Sequence, residues 1–595
     1  MAAPPVVPGA LMGTDGIDPR LHLTNTQEER VLSHEDNFDL YLYWAKRERD
    51  REDRDPRPVP DAPWIVLWKR MTGQGHRVVR PPSGTPDAVA VHDDNSSGSG
   101  SPGDEKTLEK SQAVTAQVGR PIADEGSDWS EWERHTAYHL LRTASWQAIF
   151  YMITSDILGF QQAPYSFYTL GIAPGCLVFT FLFLLAFAGG QMLWRMYMRL
   201  DSEQYPVTCY SDLAERTYGR MANVADARLL FNVGILITGQ STQLATIIEY
   251  KFCFIAIAIF WMLAGMIVGQ IRSLRNFGWF TNLGIWLNLL TMVLVMVGIG
   301  VFDPVPSQSQ HKDLSEPKSV SAWVPSYTKG WYMQQVGVQN IVYSYGGAMI
   351  FVEFMAEMRR PRDFWKAAFL SQLFCYLMYM FFGLYNYAMQ GVYTSQYPSL
   401  DFQNRALQLV TNIIGLVTGG IAMCLYAHVG QKTIYQNVFR AYLRAPSLVS
   451  RRGKIIWPFL VIGYWLISWV IGVAIPSIAT LGTLVGAAAI LQFTYTFPPM
   501  LILGHWMQSD ALEGEQPWEP GMAPGANRTD TWKQASRWKR GFRKYWYVKI
   551  ALFLYFLAAL ANAALGIYSG AMQAKDGFSG HVIISFSCKT PNEGS

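Results

Sequence analysis

Residues 152–171 read MITSDILGFQQAPYSFYTLG, an apolar stretch with polar side chains near its centre. Asp156, Gln161 and Gln162 interrupt a run that is otherwise suited to hydrocarbon. Such side chains are costly in a lipid-facing helix, so they usually face a protein interior or a water-filled cavity. Pro164 also removes a backbone donor and disfavours helix just before it. The stretch therefore predicts a membrane-spanning segment whose helix is broken near mid-depth.

A second break is predicted in residues 340–364, which read NIVYSYGGAMIFVEFMAEMRRPRDF. Gly346 and Gly347 are adjacent near the middle of this apolar run, and paired glycines weaken a helix. The alternative is that the two glycines only allow neighbouring helices to pack closely. Two interrupted segments at corresponding positions favour a binding site between them.

The whole chain is too apolar for a soluble protein of its length. Of its 595 residues, 50% are hydrophobic and 16% are charged, whereas a soluble domain has about 25% charged residues. A helix needs about 20 apolar residues to cross a bilayer. Runs of that length predict an all-α membrane protein with about 11 transmembrane helices. The runs lie near residues 145–168, 173–197, 226–248, 252–271, 279–301, 336–357, 366–389, 405–427, 455–474, 478–503 and 547–571.

The two broken segments are the first and the sixth of these runs, five spans apart. That spacing is expected if the first ten spans form two inverted repeats of five. The fold predicted from this pattern is an inverted-repeat core of five plus five helices with one additional helix at the end.

Basic residues indicate the orientation. Arg and Lys are concentrated after the second, fourth, sixth and eighth spans and before the eleventh, and they are sparse in the alternate loops. Cytoplasmic loops carry such an excess, so the N-terminus is predicted to be cytoplasmic and the C-terminus exterior or lumenal. The formal net charge of +4 is too small to suggest a nucleic acid partner.

Three regions follow from this pattern. Residues 1–143 are predicted to be a largely disordered cytoplasmic arm, because they are polar and rich in Ser, Gly and Pro. A short helix is possible near 34–53. It could dock on a partner or a membrane surface, or it could pack loosely on the body of the protein, which the composition favours. Residues 144–572 form the predicted transmembrane domain, and 573–595 an exterior tail.

The six cysteines do not indicate a disulfide framework. Cys176, Cys253, Cys375 and Cys424 lie in apolar runs, where Cys behaves as a small hydrophobe. Cys209 lies in a predicted cytoplasmic loop, which leaves Cys588 alone in the exterior tail, so no intrachain bridge is expected. The sequence contains no His/Cys metal cluster, phosphate-binding Gly-rich loop or nucleophile motif. We therefore expect no cofactor, no bound metal and no enzymatic activity.

The chemistry is expected at the two breaks. An unwound helix exposes backbone N–H and C=O groups, and half-helix N-termini favour a carboxylate. The candidate binding residues are Ser155, Gly159, Gln161, Gln162, Tyr343, Ser344, Tyr345, Gly346 and Gly347. Asp156 is a candidate coupling carboxylate for protons or cations, or else a structural carboxylate at the break. Glu353, Glu357, Arg359 and Arg360 suit a gate or structural ion pairs.

At these residues the chain resembles the amino acid/auxin permease family, and within it the fungal transmembrane amino acid transporters. The resemblance covers roughly residues 140–572. It is carried by MITSDILG with PYSFYTLGIAPG (152–159 and 164–175), YPVTCYSDLAERTYGR (205–220), IRSLRNFGWFTNLG (271–284) and YSYGGAMIFVEFMAEMRRPRDFWKA (343–367). The resemblance implies a leucine-transporter-like fold and secondary transport of amino acids, usually driven by protons.

One motif departs from the family pattern. Typical members have Gly-x-Gly followed by Leu-Ser-x-Pro, whereas residues 159–164 read GFQQAP. The second glycine is missing and two glutamines lie near the proposed site, which indicates a polar or unusual substrate.

The expected function is therefore a proton-coupled amino acid symporter that works by alternating access in the plasma membrane or a vacuolar or other internal membrane. Its expected partners are an amino acid, protons and the lipid bilayer, with a monomer assumed. The alternative is an amino acid sensor that kept the transporter fold and signals through its arm.

Overall fold

We describe a computed structural model of the chain. The described residues are 38–54, 142, 144–219, 228–270, 277–305, 317–328, 330–440, 451–475, 477–522, 525, 527–579 and 585–588. Most of the predicted arm and of the exterior tail therefore lies outside the described residues.

The described part of the chain is helical and contains no β-strand. Its α-helices are, in chain order, α1 (Phe38–Arg54), α2 (Trp146–Ile157), α3 (Ala163–Leu170), α4 (Ile172–Leu200), α5 (Tyr210–Tyr218), α6 (Arg228–Ile247), α7 (Phe254–Val268), α8 (Phe277–Val301), α9 (Trp331–Ser344), α10 (Phe351–Glu357), α11 (Phe364–Gln390), α12 (Arg405–Ile434), α13 (Arg451–Ala474), α14 (Ile478–Val485), α15 (Phe497–Ala511), α16 (Ala535–Arg543) and α17 (Trp546–Ser579).

Each apolar run predicted from the sequence coincides with one long helix or with a consecutive set of short ones. Within the described residues, seven helices are long and apolar enough to cross a membrane, and α7 is a shorter apolar helix. In hydrocarbon a helix satisfies all of its backbone groups internally, which explains why these runs fold as helices. The number of spans and their pairing into inverted repeats remain predictions.

The tenth predicted run, 478–503, contains π-helical turns that continue its helix. Between α14 and α15, Gly486–Ile490 and Gln492–Thr496 are π-helical and join the two helices into one continuous rod. This rod is largely buried by its neighbours, which places it inside the bundle.

Helix α1 docks on one end of the bundle. Phe38 is buried with its ring 5.3 Å from that of His505 on α15. Asp39 accepts a hydrogen bond from Asn527 at 3.0 Å and lies 3.5 Å from the Arg528 guanidinium. At the other end of α1, Asp53 pairs with Arg362 before α11. The arm helix therefore bridges several elements.

A buried carboxylate anchors this contact. Asp201 follows α4, and its side chain is fully buried. Arg142 binds it through two nitrogens, at 2.9 and 2.8 Å, and Arg49 of α1 lies at 3.2 Å. The Arg142 charge and its hydrogen bonds outweigh burial and lower the pKa of Asp201. The carboxylate stays charged and holds α1 against the bundle.

The opposite end of the bundle is closed by loops. The amides of Ile172 and Ala173 donate to Ser321 and Ala322 at 3.1 and 2.9 Å. Gly171, between α3 and α4, has φ 84°, and a Cβ there would lie 2.1 Å from the Trp323 carbonyl oxygen. Only glycine fits this corner, because it tolerates both the positive φ and the close approach.

The expectation of no intrachain disulfide is wrong. Cys253 and Cys588 form a disulfide that joins the start of α7 to the C-terminal segment 585–588. The sequence reading placed Cys253 inside a membrane run that starts at residue 252, but α7 begins only at Phe254. Cys253 therefore lies at the end of the helix, where the Phe254 amide also donates to the Cys588 carbonyl at 3.1 Å.

The disulfide gives a thiol count that differs between oxidised and reduced protein. In denatured, unreduced protein we expect four thiols to react with a maleimide, those of Cys176, Cys209, Cys375 and Cys424, because the other two are bonded. Reduction should make all six reactive. Mass spectrometry of the labelled chain measures this number. The variant Cys253→Ser is the control, since it should leave Cys588 reactive without reduction. Labelling of Cys588 in the unreduced native sequence would contradict the disulfide.

Candidate functional site

The first broken helix is interrupted just after Asp156. Helix α2 ends at Ile157, and Leu158 has a non-helical ψ of 63°. Phe160–Gln162 form one 3₁₀ turn, and α3 then continues towards the opposite end. Pro164 lies in the first turn of α3, where its missing N–H costs no hydrogen bond. The break thus lies where the sequence placed it.

The second broken helix is interrupted at the paired glycines. Helix α9 ends at Ser344, and Tyr345 leaves the helical conformation with φ −100° and ψ 19°. A 3₁₀ segment, Gly346–Ile350, leads into α10. All residues of this 3₁₀ segment are buried.

The two breaks lie against each other. A Cβ added at Gly347 would lie 2.7 Å from Ile157 and 3.2 Å from Oδ2 of Asp156. A Cβ at Gly346 would lie 2.8 Å from Ile490 in the π-helical rod. Glycine is therefore required at both positions for close approach, so the packing role considered from the sequence is real. That role places the breaks in contact and is compatible with a site between them.

Tyr379 of α11 connects the two breaks. Its hydroxyl donates to the Ile157 carbonyl, and it lies 3.1 Å from the Ser344 carbonyl. The same oxygen accepts the Gly159 amide at 3.1 Å. A phenol has one hydrogen, so it can donate fully to only one of the two carbonyls at a time. The free C-terminal end of α2 and that of α9 thus share one donor.

Asp156 is held from a different helix. Tyr426 of α12 donates its hydroxyl hydrogen to Oδ1 of Asp156. The other carboxylate oxygen, Oδ2, is buried and has no hydrogen-bond partner among the described residues. Oδ2 is also the atom that faces Gly347 across the second break. The carboxylate therefore has one tethered oxygen and one available oxygen at the junction of the two breaks.

Tyr343 and Gln162 border the breaks on the side of α6 and α14. Tyr343 donates to Oδ1 of Asn232 on α6 at 3.0 Å. Gln162 lies beside Gly482 of α14, where a Cβ would be 3.2 Å from its amide nitrogen. The side-chain amide oxygen of Gln162, Oε1, is buried with no hydrogen-bond partner among the described residues. Both side chains thus present polar groups close to the breaks.

The remaining candidates are less central. Ser155 faces α8, where a Cβ at Gly284 would lie 3.6 Å from its hydroxyl. Ser344 returns its hydroxyl to Asn340 within α9 at 2.9 Å. Gly159 is exposed, and Gln161 is half-buried. Of these four, Gly159 and Ser344 reach the junction through their backbone groups.

Tyr345 packs away from Asp156. Its ring centroid lies 5.7 Å from that of Tyr379, and 6.4 and 6.3 Å from those of Phe179 and Phe183 on α4. Its hydroxyl is buried with no hydrogen-bond partner within the described part of the chain. The structure therefore assigns this residue to an aromatic cluster behind the second break.

The residues considered as a gate tie the outer ends of the broken helices together. The Ala144 amide donates to the Glu357 carbonyl at 3.0 Å, and the Arg359 amide donates back to Ala144 at 3.1 Å. This short ladder joins the start of α2 to the end of α10. Glu353 is half-buried one turn before Glu357, and Arg360 is half-buried beside Arg359. Backbone hydrogen bonds therefore hold these two helix ends together.

Two important residues were not selected from the sequence. Tyr379 and Tyr426 lie in the middle of long apolar helices, where a tyrosine resembles any other aromatic core residue. No spacing rule connects either one to a break more than 200 positions away. The one feature of the sequence that could have identified them is a polar hydroxyl within an apolar run, since a buried Tyr O–H usually has a hydrogen-bond partner. Within the described residues no group of three or more His, Cys, Asp or Glu could hold a metal ion.

A bundle of apolar helices, two of them broken at one common junction, defines a multi-pass integral membrane protein. Residues 142–509 match the family described as "Transmembrane amino acid transporter protein", and the chain belongs to this family.

Curated relatives share part of this region. A "Transmembrane transporter" of Fusarium pseudograminearum is 26% identical over 44% of this chain and 52% of its own length. A "Transmembrane transporter" of Gibberella moniliformis is 23% identical over 47% of this chain and 57% of its own length. The "N amino acid transport system protein" of Neurospora crassa is 23% identical over 62% of this chain and 77% of its own. The match thus spans little more than half the length of the first two relatives.

The variant Tyr379→Phe tests whether the Tyr379 hydroxyl stabilises the two breaks. Without the hydroxyl, the Ile157 carbonyl keeps the Gly159 amide but the buried Ser344 carbonyl loses the Tyr379 hydrogen, and leaving a buried group unsatisfied costs about 1–3 kcal/mol. We expect a lower unfolding temperature in detergent and faster amide exchange at residues 157–160 and 344–347. The control is Tyr376→Phe on the same helix, whose hydroxyl bonds Thr180 instead. Equal exchange at both breaks in the two variants would contradict the role of Tyr379.

Proposed function

We propose that the protein is a secondary active transporter of amino acids, coupled to protons and working by alternating access. The observation that carries the proposal is the junction of two broken helices at Asp156. Family membership supports amino acids as the substrate class. The relative from Neurospora crassa, described as an amino acid transport system protein, supports it further.

The polarity of the broken helices suits an amino acid. The C-terminal ends of α2 and α9 present carbonyl groups at Ile157 and Ser344, and carbonyls carry partial negative charge. The N-terminal end of α3 starts on the other side of the first break and favours an anion. An ammonium group would bind at the carbonyls, and a carboxylate near the start of α3.

The count of hydrogens at the junction points in the same direction. The Ile157 carbonyl also accepts the Gly159 amide at 2.6 Å, so the acceptors short of a donor are the Ser344 carbonyl, which shares the single Tyr379 hydrogen, and Oδ2 of Asp156. An ammonium group brings three donors. A proton on Oδ2 of Asp156 would also supply one. Substrate and proton are therefore both species that this junction lacks.

Asp156 is the proposed coupling residue. Protonation of Oδ2 would remove the negative charge that faces Gly347, and would thus favour closer contact between the two breaks. Release of the proton would restore the charge and require a cation or water there. Because α2 carries Asp156 and α12 carries Tyr426, the protonation state is linked to the distance between two helices, which is what coupling requires.

Selectivity is assigned to side chains at the edge of the junction. Gln162 and Tyr343 are the strongest candidates, because both present polar groups next to the breaks. Gln161 and Ser155 lie further out, and Tyr345 supports the second break from behind. Two glutamines at this position favour a polar substrate, which can use their amide groups.

Alternating access would move the broken helices together. The ladder between Ala144 and Arg359 joins α2 to α10 at one end, so the two would tilt as one unit against α6, α12 and α13. Glu353, Glu357, Arg359 and Arg360 would then form part of the gate at that end. The charge pattern of the loops supports a cytoplasmic location for this end.

Uptake into proteoliposomes tests the function and the coupling residue together. We expect the native protein to accumulate radiolabelled amino acid when an inward proton gradient is imposed, with a screen of amino acids identifying the substrate. Asp156→Asn should lose this gradient-driven accumulation and retain exchange at equal pH, because the amide cannot carry the coupled proton. Glu249→Gln, at an exposed carboxylate paired with Lys251, is the control. Undiminished accumulation by Asp156→Asn would exclude the coupling role.

A sensor that signals through the arm is the second candidate. The observation that favours it is the docking of α1 on the bundle through the buried Asp201. A helix held at α4, α11 and α15 at once would respond to their relative movement. Such a protein would bind an amino acid and show little net flux.

Removal of residues 1–130 separates the two candidates. This truncation deletes α1 and keeps Arg142, so Asp201 retains its two strongest hydrogen bonds and the bundle should still fold. If the protein is a transporter, the truncated chain should accumulate substrate at a rate close to that of the full chain. Ligand binding without accumulation in both chains would instead favour the sensor.

A further inference from the structure

Helix α16 lies just before the last long helix and has three distinct faces. At 100° per residue, Arg537 and Gly541 point in similar directions, and both are buried. Arg540 lies beside them, and it pairs with Glu515 at 2.7 Å and with Asp530 at 2.6 Å. This face attaches α16 to the bundle, and its cations are neutralised there.

The second face is aromatic and exposed. Trp538 and Phe542 are one turn apart and are 53% and 38% exposed. The Trp538 indole N–H donates to the Trp532 carbonyl at 2.8 Å, so its ring presents apolar surface without an unsatisfied donor. The next residues continue this surface with three exposed aromatic side chains, Tyr545, Trp546 and Tyr547.

The third face is basic. Lys539 and Arg543 are one turn apart on α16, and both are exposed. Lys533 and Lys544 are exposed on either side of the helix, and Lys544 lies 3.3 Å from Glu513. The inner cations Arg537, Arg540 and Lys549 have acidic partners inside the protein. The outer cations therefore form a positive surface beside the aromatic one.

We propose that the aromatic and basic faces of α16 bind the headgroup and upper chain of an anionic phospholipid. Aromatic side chains concentrate at the boundary between hydrocarbon and headgroups, and α17, which is long and apolar enough to cross a membrane, begins directly after Tyr545. An amphipathic helix at this depth buries its apolar face in the lipid and holds its cations at the phosphates. A soluble phosphate would use the cations alone, and would leave five exposed aromatic side chains without a role.

The probe is a vesicle of phosphatidylcholine with a minor fraction of phosphatidylglycerol. The full-length protein is reconstituted, extracted in mild detergent and analysed for retained lipid by mass spectrometry. We expect phosphatidylglycerol to be enriched over its fraction in the vesicle. The double variant Lys539→Gln with Arg543→Gln should abolish this enrichment, since each cation near an anionic surface contributes about 1 kcal/mol, or about fivefold in affinity. Neither residue has a role in the transport site.

Further variants and a competitor test where the lipid binds, and whether the site takes a lipid or a soluble phosphate compound. Lys251→Gln with Lys575→Gln removes two exposed cations from the opposite end of the bundle and should leave the enrichment unchanged. Trp538→Ala should lower retention of phosphatidylglycerol, and added soluble glycerophosphate should compete poorly. Equal enrichment in the native protein and the Lys539/Arg543 variant would overturn the proposal, as would full displacement by glycerophosphate. Transport activity is not part of the readout, so this result is independent of the proposed function.

Discussion

A helix that stops inside hydrocarbon leaves carbonyl and amide groups that water cannot satisfy. The two broken helices meet this constraint by placing their ends against each other and sharing a single phenol hydroxyl, that of Tyr379. Glycine at positions 346 and 347 allows the approach, because any side chain there would collide with Ile157 or Ile490. The position of Asp156, the course of α3 and the location of the proposed site all depend on this contact.

The same contact explains why the junction is suited to change. A lipid-facing helix has fixed hydrogen bonds, whereas a hydroxyl with one hydrogen can donate to either of the two carbonyls beside it. Tyr426 adds a second adjustable contact by holding one oxygen of Asp156 from α12. Movement of α11 or α12 therefore alters which backbone groups are free, and a ligand that supplies donors would shift the balance. In the proposed mechanism, substrate binding and helix movement would therefore act on the same few atoms.

The sequence predicted the helical runs and the position of both breaks, because each depends on local properties: apolar length, Pro164 and the paired glycines. It could not predict Tyr379 and Tyr426, since their importance comes from positions far away in the chain. The disulfide was missed for a different reason. A shift of two residues in the start of α7 moved Cys253 from the membrane run to its exposed end, next to Cys588. Helix boundaries are the least certain part of a sequence reading.

The two ends of the bundle are held by different physical means. At one end a covalent bond and backbone hydrogen bonds join α7 and α13 to the segment 585–588. At the other end the contacts of α1 with Asp201, Arg362 and Arg528 are ionic. Of these ion pairs, the one between Asp53 and Arg362 is exposed and is weakened by salt, whereas those at Asp201 and Arg528 are buried and are screened little. The contact of α1 with the segment before α11 is therefore the one that rising ionic strength weakens most, while the buried contact at the end of α4 keeps α1 on the bundle.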